Sequence, residues 1–285
     1  MIERRYITQP DGVRLAAEIA GPAGAPAVVF AHGGGQTRHS WSGAFHRLAS
    51  EGYRVINYDA RGHGESDWSP DNRYPITRRW SDMQSVLALA GRPVAVIGAS
   101  MGGGTALYGV GQGFRPDALL LVDIAPNSDR AGMQRVRDFM QSGLEGFASL
   151  DEAADAVAAY NPSRPRPRDV SGLRRNLRQQ TDGRWYWHWD PGMVMLDIDA
   201  ERAIMGRTME GLEAAASLPV VLIRGVNSDV VTGDTVQEFR ERLPHIEVID
   251  VEGAGHMVAG DRNDAFLAGI IGFLSKHLPA GPPGR

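Results

Sequence analysis

The sequence predicts an α/β fold: a mostly parallel sheet with helices on both faces. Three observations predict it. Short continuous apolar runs recur at Ala27–Ala31, Val94–Ile97, Ala118–Val122 and Pro219–Ile223, the pattern of strands buried on both sides. Stretches with apolar residues at helical spacing separate them, as in Trp80, Met83, Leu87 and Ala90. A chain of 285 residues, 42% apolar, is long enough to bury the large core that such layering needs.

Each element follows from its residues. Arg4–Thr8 and Val13–Ala20, joined by the turn Pro10-Asp11-Gly12, form a β-hairpin. Ala27–Ala31 is a buried strand, Ser40–Glu51 a helix carrying Trp41, Phe45 and Leu48, and Tyr53–Tyr58 a strand. Thr77 is placed to cap the next helix. The strand at Val94, a helix from Gly103 and the strand Ala118–Val122 continue the alternation. After Pro126 it breaks. To about Leu218 there are helical patches and no buried strand: Asp151–Tyr160, a short helix marked by Leu173 and Leu177, and Ala200–Ala216. Asn161–Arg168, with three prolines, is an extended linker. Strands return at Pro219–Ile223 and Ile246–Ile249, with helices near Asp234–Leu243 and at Phe266, Ile270 and Leu274. The expected division is a core of residues 1–125 and 219–285, with 126–218 inserted as a helical cap.

Composition narrows the chemistry. The absence of cysteine excludes thiol nucleophiles, disulfides and sulfur-ligated metals. Lys276 is the one lysine, which disfavours Schiff-base catalysis. A net charge of −4 gives no reason to expect nucleic acid or an anionic membrane as partner. No apolar run has the length of a spanning helix, and Met1–Tyr6 lacks the apolar core of a signal peptide, so cytoplasm is the expected compartment.

The chemistry centres on Gly98-Ala99-Ser100-Met101-Gly102. Among 35 glycines a lone G-x-S-x-G is a weak signal, but here it stands between a buried strand and a helix. That context makes it a nucleophile elbow, whose tight turn lifts the serine hydroxyl off the sheet. Serine needs a base. His256 follows the last strand, flanked by glycine, and is preferred over His32 and His63, both read as structural. The base needs a carboxylate. Asp229, after the penultimate core strand, keeps the chain order Ser, Asp, His and is favoured over Asp123, which ends the strand after the elbow helix. Asp59 is read as paired with a neighbouring loop. His32-Gly33-Gly34-Gly35 follows a strand directly, and the backbone N–H groups of Gly34 and Met101 are the expected oxyanion donors. The loop lacks the Lys and Ser/Thr of a phosphate cradle, and no HExxH-type cluster calls for a metal or cofactor.

With these stretches, and with Asp59-Ala60-Arg61-Gly62-His63-Gly64-Glu65-Ser66, the chain resembles the α/β-hydrolase superfamily from about residue 26 to 275. The resemblance implies an eight-stranded, mostly parallel sheet with a helical cap after the sixth strand, and a structural role for His63. Ser100 at the elbow argues against the epoxide hydrolases and haloalkane dehalogenases of that family, which carry aspartate there. Carboxylesterases, lactonases, carbon–carbon bond hydrolases and cofactor-free haloperoxidases share the serine.

The expected function is therefore serine-dependent hydrolysis of a small, hydrophobic carboxylic ester or lactone without a cofactor. The alternatives are carbon–carbon bond hydrolysis by the same triad, or a small-molecule sensor on this fold. Trp185, Trp187 and Trp189 place three of six tryptophans in five residues. They either wall an apolar substrate pocket or seal the cap onto the core. Met193, Met195, Met205 and Met209 offer further apolar lining or plain core.

Overall fold

The structure, a computed structural model, describes residues 1–162, 166–195, 198–258 and 263–280. Its strands are β1 (Glu3–Thr8), β2 (Arg14–Ala20), β3 (Ala27–Ala31), β4 (Arg54–Tyr58), β5 (Val94–Ala99), β6 (Ala118–Val122), β7 (Leu177–Gln179), β8 (Trp185–Trp187), β9 (Val220–Gly225) and β10 (Glu247–Val251). The helices are α1 (Ser42–Ser50), α2 (Ile76–Leu87), α3 (Met101–Gly111), α4 (Arg130–Gln141), α5 (Leu150–Tyr160), α6 (Ile198–Glu213), α7 (Gly233–Arg242) and α8 (Asn263–His277).

Eight strands form one sheet in the order β1-β2-β4-β3-β5-β6-β9-β10. β2 pairs antiparallel with both neighbours, and every other pairing is parallel. Both faces are covered, so alternate residues of one strand enter different cores. On β5, Val94 and Val96 face a core shared with α2, α3, α6 and α7, while Ala95 and Ile97 face one shared with α1 and α8. This is why the central strands are apolar throughout, each buried Val or Ile contributing about 1.5–3 kcal/mol.

Two expectations are corrected. Thr77 does not cap α2. The helix starts at Ile76, after Pro75, whose carbonyl accepts from the Arg78 and Arg79 N–H groups at 3.0 and 3.1 Å. Nor is the segment between β6 and β9 purely helical or wholly a cap. It contains the antiparallel hairpin β7–β8, with Leu177 opposite Trp187, and Leu177 belongs to that strand rather than to a helix. Its last helix, α6, returns to the main core well before residue 219. A Cβ on Gly211 would lie 2.5 Å from the Cα of Gly111 on α3, and Met209 and Leu212 join the core beneath α2 and α3. Such close helix packing requires glycine at the crossing. The predicted linker Asn161–Arg168 lies partly outside the described residues, at 163–165.

Parallel strands all deliver their C-terminal ends to the same sheet edge. The chain leaves β3, β5, β6, β9 and β10 there, placing the glycine loop, Ser100, Asp123, the 226–231 loop and His256 along that edge.

Candidate active site

Ser100 sits between β5 and α3 with φ +43° and ψ −112°, a left-handed backbone that disfavours a side chain. The elbow glycines make this turn possible. A Cβ on Gly98 would come within 2.5 Å of the Cα of Gly103, and one on Gly102 would overlap the Ala31 carbonyl of β3. The turn is locked by the Ser100 N–H donating to Val122 O at 3.1 Å and the Gly104 N–H donating to Ser100 O at 2.8 Å.

Asp123 follows β6 as Ser100 follows β5, since Ala99 and Val122 are paired across the two strands. Its carboxylate is buried and accepts from His256 Nδ1 at 2.7 Å, from the Gly225 N–H at 3.2 Å and from the Ser228 hydroxyl. Glycine is required at 225 because a Cβ would overlap the Gly255 carbonyl. That close approach, with the Asn227 N–H bonded to Ala254 O at 2.9 Å, brings the loop bearing His256 against the end of β9.

The expectation that Asp229 orients His256 is corrected. Asp229 pairs with the exposed Arg135 of α4, its Oδ2 accepting from Nε at 2.7 Å and from a second guanidinium nitrogen. The 226–231 loop turns Ser228 inward, where its hydroxyl also accepts from the Val230 and Val231 N–H groups at 3.1 and 3.2 Å. Asp229, the next residue, therefore faces outward. Ser228 is a site residue that the sequence reading missed, because nothing in Asn227-Ser228-Asp229 marks which side chain turns in.

The glycine loop is held by histidines. The Gly33 N–H donates to Gln36 Oε1 at 3.1 Å and the Gly35 N–H to His63 Nε2 at 3.1 Å. Among the described residues the Gly34 N–H has no such partner. Met101 is the first residue of α3, so its N–H has no acceptor within the helix. Gly34, Ser100 and Met101 line one cavity.

His32, His63 and His188 each accept a backbone N–H on one ring nitrogen and therefore donate from the other. His32 accepts from Ala60 at 2.9 Å and donates to Gly33 O at 2.8 Å. His63 accepts from Gly35 and donates to Arg61 O at 3.1 Å. His188, in the insertion, accepts from the Gly64 N–H at 2.8 Å and meets Gly35 O at 3.3 Å. These bonds require neutral rings. Burial lowers all three pKa values: His32 below its ordinary 6.5, His63 well below it, and His188 to about 4. Asp59 is likewise structural, buried against the guanidinium and N–H of Arg38 and the Glu65 N–H.

The unfolded chain protonates these rings near pH 6.5 and the folded chain only lower, so the unfolded state binds more protons between the two values. Stability against urea is therefore expected to be lost as pH falls from about 6.5 toward 4, by up to ~1.4 kcal/mol per pH unit for each histidine. Urea midpoints at pH 7.5, 6 and 5 check this. Replacing His188→Gln is expected to make the slope shallower.

The cavity at Ser100 has a volume of about 150 Å³ and a mainly apolar wall that includes Met133, Met140, Met193 and Met205. Two readings were open for the cap tryptophans: none of the three lies on this wall, and Trp187 and Trp189 line a separate cleft with Gly35 and Met257. Trp187 and Trp189 stack with ring centroids 4.7 Å apart among Phe147, Leu177 and Met193, and Arg174 lies over Trp185. The β7–β8 hairpin turns these rings into the insertion's own small core. Of the other methionines considered, Met195 is exposed and Met209 is buried in the main core.

The family model described as "Alpha/beta hydrolase family" matches residues 28–269. The chain is 31% identical over 267 residues to the esterase Rv0045c of Mycobacterium tuberculosis, covering 89% of this chain and 84% of that one. It is 28% identical over 281 residues to 3-oxoadipate enol-lactonase 1 of Acinetobacter baylyi, covering 95% and 96%. A solved alpha/beta hydrolase from Novosphingobium aromaticivorans superposes with a TM-score of 0.80 at 24% identity, over 96% of this chain and 98% of that one. No helix among the described residues is long and apolar enough to cross a membrane. Sheet order, elbow and family match agree, and the chain belongs to the alpha/beta hydrolase family.

Proposed function

We propose that the chain is a serine hydrolase that cleaves a small carboxylic ester or lactone through an acyl-enzyme. The observation that carries this reading is a left-handed Ser100 on the wall of an apolar cavity, at the same sheet edge as a His256 whose Nδ1 is bound to the buried Asp123. A carboxylate acceptor fixes the proton on Nδ1 and leaves the Nε2 lone pair for a hydroxyl. Ser100 Oγ attacks the substrate carbonyl as His256 Nε2 takes its proton, and Asp123 stabilises the imidazolium. The Gly34 and Met101 N–H groups receive the oxyanion. His256 returns the proton to the leaving oxygen, then activates water to release the acyl group. A cavity of about 150 Å³ matches a group the size of benzene, which favours short acyl chains. Similarity to an esterase and an enol-lactonase supports ester-bond cleavage.

The test is turnover of p-nitrophenyl acetate together with labelling by phenylmethylsulfonyl fluoride. One sulfonyl group is expected on the peptide containing Ser100, with loss of activity in step. Labelling of a different serine, or inactivation without label at Ser100, rejects the assignment.

A further inference from the structure

The cavity beside Ser100 carries three charged side chains in its otherwise apolar wall: Arg79, Arg137 and Glu201. Arg79, on α2, is only 7% exposed. One terminal nitrogen pairs with Glu201, but its Nε is buried and has no hydrogen-bond partner. An unpaired buried donor is a cost that native structures rarely leave unmet. Arg137, on α4, is half-buried. Its Nε donates to Val194 O at 3.1 Å, and among the described residues it has no carboxylate partner. Two guanidiniums against one carboxylate leave the wall with one net positive charge. Glu201 is engaged by Arg79, so the surplus stands at Arg137.

We propose that Arg137 receives a carboxylate, and that the substrates are anionic: short half-esters of dicarboxylic acids, or lactones bearing a carboxylate. The proposal rests on the serine-hydrolase reading above and adds the substrate class. Guanidinium presents a planar fork of donors that matches a carboxylate, and Arg137 offers its two terminal nitrogens. The apolar methionine wall spans the methylenes between the two ends. A neutral ester of equal length fills the same space but leaves the Arg137 charge uncompensated. That penalty is the source of selectivity.

The experiment compares kcat/KM, by pH-stat at pH 7.5, for ethyl hydrogen succinate and ethyl hydrogen glutarate against ethyl butanoate and ethyl pentanoate. The unchanged protein is expected to prefer each half-ester at least ~10-fold over its neutral partner. Arg137→Gln, at a half-buried position, is expected to lower that ratio about 10–100-fold, the range set by a hydrogen bond to a charged group. The loss should fall mainly on KM, because the carboxylate is remote from the reacting carbonyl. Arg137→Lys, which keeps the charge but not the planar fork, is the companion variant and should recover part of the ratio. Thermal melts of each variant separate misfolding from lost recognition. Turnover of p-nitrophenyl acetate with no half-ester preference, or with a ratio that Arg137→Gln does not move, overturns this inference and leaves the serine-hydrolase reading standing. Inertness toward p-nitrophenyl acetate and all four esters overturns both.

Discussion

Ser100→Ala is expected to lower kcat on p-nitrophenyl acetate by about 10⁶-fold while the protein keeps its melting temperature. The magnitude follows from a nucleophile, base and acid that act as one unit, so loss of the nucleophile alone removes nearly the whole effect. Residual turnover above water then comes from the Gly34 and Met101 donors and from binding. The stability expectation follows from the geometry. Alanine keeps the Cβ that the left-handed turn already accommodates at φ +43°, and removes a single oxygen facing the cavity. Steady-state kinetics and a thermal melt on the same preparation decide it. Activity above a hundredth of the unchanged protein's would remove Ser100 from the mechanism.

Asp123→Asn and Asp229→Asn are expected to separate by about four orders of magnitude in kcat. At 123 the amide presents N–H where the histidine proton is held, forcing the wrong tautomer, a change worth about 10⁴. The amide also faces the Gly225 N–H and the Ser228 hydroxyl, so one of these donors meets another donor. At 229 the same substitution weakens only a surface pair with Arg135, whose side chain is 64% exposed, and such pairs contribute within about 1 kcal/mol. Its kcat is expected to stay within about twofold. A reversal of the two results would return the carboxylate to the 226–231 loop.

The central strands were legible because a strand covered on both faces has to be apolar at every position, as Val94–Ile97 and Ala118–Val122 are. The elbow was legible because the steric demands of the turn leave a sequence pattern. The acid was not. Asp123 and Asp229 both follow core strands, and chain order cannot tell which of Ser228 and Asp229 points inward. That is decided by a hydroxyl bridging Asp123 to two backbone N–H groups. The insertion was the least legible part. Its rings alternate along β8, but whether one face meets substrate or other side chains depends on Phe147 and Leu177, distant in sequence from Trp187. Arg79 and Arg137 carried no motif at all. Only the fold brings α2 and α4 to one cavity.

The glycines of the elbow have a consequence for how the molecule opens. Gly102, Gly103 and Gly104 fill the first turn of α3, and each costs about 1 kcal/mol against alanine in helical propensity. The turn has little helicity of its own, so it is held by contact: Gly102 against Ala31 of β3, and Gly103 against Gly98 of β5 and Ile124. Such a turn does not fray as helix ends usually do, because its stability belongs to the middle of the sheet. The amide hydrogen of Gly104, bonded to Ser100 O at 2.8 Å, is thus expected to exchange only when the central strands part. The left-handed turn at Ser100 and the sheet centre are expected to open as one cooperative unit.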